Sequence, residues 1–189
     1  MQRIILFGDS ITAGATHGFP TKIFTDKIAQ AIAPQNVELI NRGVLGDNTV
    51  GGLGRMKTDV LQKKPDIVVI FFGTNDVELP QMTLKKYQQN LATMLTKIGP
   101  QKCILVTPGI TGPTRQGHRP NKLLYQYAKA TKETAQKYGA LCVDWFAQAI
   151  RHPASEILQA DDLHYGPKAY DLLVKELKPL LLQKLVESK

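Results

Sequence analysis

Residues 67–76 read Ile67-Val68-Val69-Ile70-Phe71-Phe72-Gly73-Thr74-Asn75-Asp76. Six apolar residues in a row, the first four β-branched, end abruptly in a small polar cluster. A strand with one wet face would alternate apolar with polar. A short run that is apolar at every position reads as a strand covered on both faces, the mark of a parallel sheet between helices. Four more runs of this kind lie at residues 4–7, 37–40, 103–107 and 141–145. In residues 37–40, Glu38 sits between Val37 and Leu39, the alternation of an edge strand.

Helical periodicity fills the gaps. Leu84, Tyr87, Leu91, Met94, Leu95 and Ile98 recur at three and four, with Thr83 as N-cap and Gly99-Pro100 as the stop. Leu124, Ala128, Thr131, Ala135 and Tyr138 mark a helix ended by Gly139. Shorter patterns cover 21–32 and 53–61. A last helix starts at Pro167 and carries Leu173, Leu177, Leu181 and Leu185, with a kink expected at Pro179. Five strand–helix alternations predict an α/β fold with a doubly wound, five-stranded parallel sheet. Its expected strand order is 2-1-3-4-5, flavodoxin-like, with helices on both faces and ligands beyond the carboxyl ends of the strands.

The 189 residues suit one domain spanning 1–189. With 43% hydrophobic and 21% charged residues, disorder across the whole chain is excluded. Two cysteines, Cys103 and Cys142, cannot make a disulfide scaffold and read as buried thiols. Asp9 ends the first apolar run after four residues, short of the roughly 7–15 that a secretory signal needs. No window approaches the about 20 apolar residues of a membrane span, so a cytoplasmic chain without stable membrane insertion is expected. The net charge of +8 comes from lysines scattered over helices, read as solvated faces, and no nucleic-acid partner is expected.

The segments after the strands hold the chemistry. After the first comes Gly8-Asp9-Ser10, after the second Gly43-Val44-Leu45-Gly46-Asp47-Asn48-Thr49, and after the third Gly73-Thr74-Asn75-Asp76. Asp161-Asp162-Leu163-His164 lies well beyond the fifth. Of the three serines, Ser155 and Ser188 follow no strand, which leaves Ser10 as the candidate nucleophile. A serine hydroxyl needs a base, and the base needs a carboxylate to hold its tautomer. His164 follows Asp161 by three residues, so one turn can hold both. His17, nearer to Ser10 in sequence, is the rival base, while His118 and His152 read as surface or packing residues. Gly46 and Asn75 lie where an amide N–H and a side-chain amide would reach a developing oxyanion. Val44, Leu45, Val77, Ile110 and Leu163 suggest an acyl pocket or loop anchors. No G-x-S-x-G elbow, Walker A sequence or G-x-G-x-x-G occurs, and Gly51-Gly52-Leu53-Gly54 has the wrong spacing for a dinucleotide. Asp9, Asp76, Asp161, Asp162 and His164 lack the spacing of a metal site, and no cofactor is expected. Two readings remain: a serine esterase, or a non-catalytic module binding a nucleotide or anion.

Together, Gly8-Asp9-Ser10, Gly43-x-x-Gly46-x-x-Thr49, Gly73-x-Asn75-Asp76 and Asp161-x-x-His164 resemble the four ordered blocks of the SGNH (GDSL) hydrolases. The wording of Asn41-Arg42-Gly43-x-x-Gly46-x-Asn48-Thr49, and Asn121 before the Tyr127-Ala128 helix, is similar to the isoamyl-acetate-hydrolysing esterase-like branch. The resemblance implies an α/β/α sandwich and an acylhydrolase without a cofactor. Ser10 would be its nucleophile, His164 the general base and Asp161 the orienting acid. The oxyanion hole would come from the Ser10 N–H, the Gly46 N–H and the Asn75 side chain. Its substrate would be a small or medium acyl ester, with carbohydrate deacetylation or lysophospholipase-like activity as the alternative. Many members carry glycine where this chain has Asp162.

Overall fold

The computed structural model describes residues 1–187, which leaves Ser188 outside the described residues. Five parallel strands, β1 (Gln2–Gly8), β2 (Val37–Gly43), β3 (Ile67–Phe71), β4 (Cys103–Val106) and β5 (Leu141–Val143), form one sheet in the order β2-β1-β3-β4-β5. In the register of this sheet Gly8 lies beside Gly43 on one side and Phe71 on the other. The three strands therefore end level, and the segments that follow them emerge together.

Alternation at period two divides each central strand between two cores. Ile4, Leu6, Ile67, Val69, Phe71, Ile104 and Val106 face one cluster; Ile5, Phe7, Val68, Ile70, Cys103 and Leu105 face the other. The first cluster is closed by α1 (Ile23–Ile32) and α7 (Pro167–Glu187), which pack on each other. The second is closed by α2 (Thr49–Asp59), α3 (Leu84–Ile98) and α4 (Asn121–Tyr138). Burying a large apolar side chain stabilises by about 1.5–3 kcal/mol, and the leucine stripe of α7, from Leu173 to Leu185, is buried throughout.

Among the boundaries that differ from the sequence expectation, two have a clear local cause. The fifth strand stops at Val143, because the Asp144 side chain accepts the Ala147 N–H and starts α5 (Trp145–Ala149). Helix α2 begins at Thr49 rather than residue 53. Asn48 accepts the N–H groups of Val50 and Gly51, a cap strong enough to start a helix through glycines of low propensity. Helix α7 starts at Pro167, as the sequence expects, and contains Pro179. Thr83 and Gly99 bound α3 as expected, and Gly139 caps α4 in the left-handed conformation.

Candidate active site

The turn after β1 is wound tightly enough to hold one side chain at the sheet edge. Ala13 N–H donates to Asp9 O, Gly14 N–H to Ile11 O and Ala15 N–H to Ser10 O. The Asp9 carboxylate accepts the Ile11 N–H at 2.9 Å, and the Tyr170 hydroxyl of α7 donates to Ile11 O at 2.8 Å. The end of β2 lies directly against this turn: a Cβ on Gly43 would stand 2.1 Å from Ala13 N, so only glycine allows the approach. Asn41 locks the contact, donating to Thr12 O at 2.7 Å and accepting the Gly43 N–H.

From the other end of the chain comes His164. Its Nε2 lies 3.1 Å from Ser10 Oγ, and its Nδ1 lies 2.5 Å from Asp161 Oδ2. The second Asp161 oxygen accepts the N–H groups of Leu163 and His164. Burial would raise this carboxyl, but the hydrogen bonds from the His164 ring and the two amides prevail and hold it below its ordinary value. Two short helices, α5 and α6 (Ala154–Ile157), carry the chain back across the sheet, and Leu158 bridges Tyr165 in antiparallel fashion. The Gln159 amide then joins the two halves of the site. It donates to Ala15 O at 2.7 Å and Tyr165 O at 2.9 Å, and accepts the His17 N–H at 3.1 Å. Asp162 has φ +59°, the left-handed region that favours glycine. Here its carbonyl accepts the Gly112 N–H and its carboxylate the Thr114 N–H, tying the histidine loop to residues 112–114.

The third part gathers backbone and amide donors. Gly46 has φ +72° in the loop after β2, and neither its N–H nor that of Ser10 meets an acceptor among the described residues. The Asn75 amide donates to Asp47 O at 2.7 Å. Arg55 clamps the loop to the sheet: it donates to Gly8 O at 2.9 Å, Arg42 O at 2.8 Å and Asp47 Oδ2 at 2.7 Å, and lies 4.4 Å over the Phe7 ring. Asp76 accepts the Thr49 N–H and hydroxyl and so fixes the start of α2. Two carboxyls are buried beneath the site. Desolvation raises Asp9 to about 7, against the Ile11 hydrogen bond, and raises Asp76 to about 6, against the hydrogen bonds from Thr49.

The remaining residues singled out from sequence separate. His17 is exposed, and its ring hydrogen-bonds to no described residue; His118 is exposed and His152 half-buried. Ile110 is buried and Val77 packs against both cores, so these two are loop anchors. Val44 and Leu45 are each 43% exposed beside Gly46. Among the described residues no group of three or more His, Cys, Asp or Glu is placed to hold a metal ion, and no helix is long and apolar enough to cross a membrane. Gln159, Arg55 and Arg119, described below, carry no local sequence signal.

A family model described as the GDSL-like lipase/acylhydrolase family matches residues 6–172. The chain belongs to this family. As a GDSL-type lipase/acylhydrolase it is a carboxylic ester hydrolase, and several of its relatives are named as esterases. It is 28% identical over 187 residues to the esterase TesA of Pseudomonas aeruginosa, covering 95% of this chain and 90% of that one. It is 30% identical over 210 residues to the human isoamyl acetate-hydrolyzing esterase 1 homolog, covering 96% and 82%. Among solved structures, the lipase/acylhydrolase from Enterococcus faecalis superposes with a TM-score of 0.90 at 36% identity, covering 96% of this chain and 95% of that one. The five-stranded order 2-1-3-4-5 is thus the sheet of a GDSL hydrolase.

Proposed function

We propose that this GDSL hydrolase is a serine esterase that cleaves small to medium acyl esters through a Ser10–His164–Asp161 triad and an acyl-enzyme intermediate. One observation carries the reading: a single imidazole lies 3.1 Å from the serine oxygen through Nε2 and 2.5 Å from a carboxylate through Nδ1. With Nδ1–H facing Asp161, Nε2 is the lone-pair nitrogen and takes the Ser10 proton as Oγ bonds to the ester carbon. The imidazolium that forms is steadied by Asp161. The carbonyl π pair moves onto oxygen, where the Ser10 N–H, the Gly46 N–H and the Asn75 amide receive it. A donor of this kind is worth ~2.7–4 kcal/mol of barrier.

Collapse of the tetrahedral species breaks the bond to the alcohol, which leaves with the proton from His164. Water then attacks the acyl-enzyme by the same steps, giving the free acid and restoring Ser10. Exposed Val44 and Leu45 beside Gly46 supply apolar surface for an acyl group. Hydrolysis of p-nitrophenyl acetate and butyrate tests the reading. Ser10→Ala and His164→Ala are each expected to lower kcat by at least about 10³-fold, and a fluorophosphonate to label the wild type but not Ser10→Ala. Wild-type rates in both variants overturn it.

A further inference from the structure

Asn75 is assigned above as an oxyanion donor, and an asparagine amide can present either of two ends. Its carbonyl and NH2 groups have nearly the same shape, so shape alone does not choose between them. The choice matters: turned one way, the amide donates to a developing oxyanion; turned the other, it sets a lone pair against negative charge.

In this chain the Asn75 amide is held between two groups of opposite kind. On one side Asp47 O, which can only accept, takes an Nδ2 proton at 2.7 Å. On the other side Arg119 Nη2, which can only donate, lies 3.0 Å from Asn75 Oδ1. The same guanidinium donates through Nε to the Thr74 carbonyl at 3.1 Å and pairs with Glu78 at 2.5 Å, so it is fixed at three points. Its side chain is only 11% exposed. The backbone of Arg119 is fixed as well: its carbonyl accepts the Thr111 hydroxyl at 2.7 Å and its N–H donates to Arg115 O at 2.7 Å. A rotated Asn75 would place its NH2 against a guanidinium and its carbonyl against a carbonyl, losing both hydrogen bonds and gaining two repulsions. The second Nδ2 proton has no acceptor among the described residues.

We propose that Arg119 is a positioning residue that locks the Asn75 amide with its N–H end toward the oxyanion. The proposal rests on the reading of Asn75 as an oxyanion donor. Arg119 acts only through Asn75, so its contribution disappears when Asn75 has no amide. Arg119 comes from the segment between β4 and α4, which gives that segment a part in the chemistry of β3.

A double-mutant cycle on p-nitrophenyl acetate tests this, with kcat and KM measured for wild type, Asn75→Ala, Arg119→Ala and the double variant. Asn75→Ala is expected to lower kcat about 10²-fold or more, and Arg119→Ala roughly tenfold with KM changed less than about twofold. In the Asn75→Ala background, Arg119→Ala should change kcat less than about twofold. Arg119→Lys, which keeps one donor for Asn75 Oδ1, should recover part of the loss, and it serves as the second variant if Arg119→Ala does not fold. Equal losses in both backgrounds, or a loss confined to KM, overturn the proposal while Asn75 keeps its role. Wild-type kcat in Asn75→Ala overturns the oxyanion assignment itself, and the proposal with it.

Discussion

Ser10 and His164 meet at 3.1 Å but are held by different means. The turn carrying Ser10 grows directly from the sheet: its contacts come from the end of β2, from its own backbone and from Tyr170 of α7, all set in place by the two cores. The loop carrying His164 leaves the sheet at β5 and returns across it, held by Gln159 and by residues 112–115. Two aspartates show the contrast. Asp9, buried under the serine turn, is pushed up to about 7, while Asp161, on the histidine loop, is held below its ordinary value. The scaffold tolerates an unfavourable charge on the serine side, whereas on the histidine side hydrogen bonds favour the charge. The serine side has hydrogen bonds anchored on the packed sheet and α7, whereas the histidine side rests on a few polar bonds between loops that single substitutions remove.

The largest break in this contrast is expected from Asp161→Asn. An amide in place of the carboxylate removes the charge that steadies the imidazolium and admits the wrong tautomer, so kcat should fall by about 10³–10⁴-fold with the melting temperature little changed. A loss below tenfold would mean that any hydrogen-bond acceptor suffices at that position.

On the serine side the expected effect is on stability. A carboxyl raised from 3.8 to about 7 in the folded protein binds a proton there that the unfolded chain has released. Stability therefore falls as pH rises between those values and stays lower above them. Asp9→Asn keeps an acceptor for the Ile11 N–H and removes the buried charge. It should stabilise the fold at pH 8 by up to on the order of 4 kcal/mol, a Tm rise of up to roughly 8–16 °C, and by little near pH 4. Thermal melts across that range check it, and an unchanged difference between the two pH values would contradict the buried charge. Asp161 runs the other way: its contribution is present above the unfolded value and is lost as pH falls through the folded one.

The smallest effect separates the two sides most directly. Gln159→Leu removes the amide that donates to Ala15 O and Tyr165 O, at about 1 kcal/mol for each bond. The His164 ring then loses its alignment with Ser10, and kcat should fall roughly tenfold with a Tm loss of a few degrees. A Tm loss with kcat unchanged would make Gln159 scaffold only.

The sequence showed much of this arrangement wherever a local pattern carried it. Unbroken β-branched runs such as residues 67–71 announced a sheet covered on both faces, and the polar clusters after β1, β2 and β3 lie together because those strands are neighbours. The offset of three between Asp161 and His164 puts both on one turn. The arginines and Gln159 escaped because their partners are distant: Arg55 reaches Gly8 across 47 positions, and Arg119 reaches Asn75 across 44. Before the fold is known each reads as an ordinary polar residue. The start of α2 was hidden by its glycines, and the end of β5 by Trp145, whose bulk suits a strand but whose indole packs on Tyr165 from a helix.

The separation of 154 positions from Ser10 to His164 also orders events in time. Under the proposed triad, a growing polypeptide carries the hydroxyl early and the imidazole late, so it holds no complete triad until most of it has been synthesised.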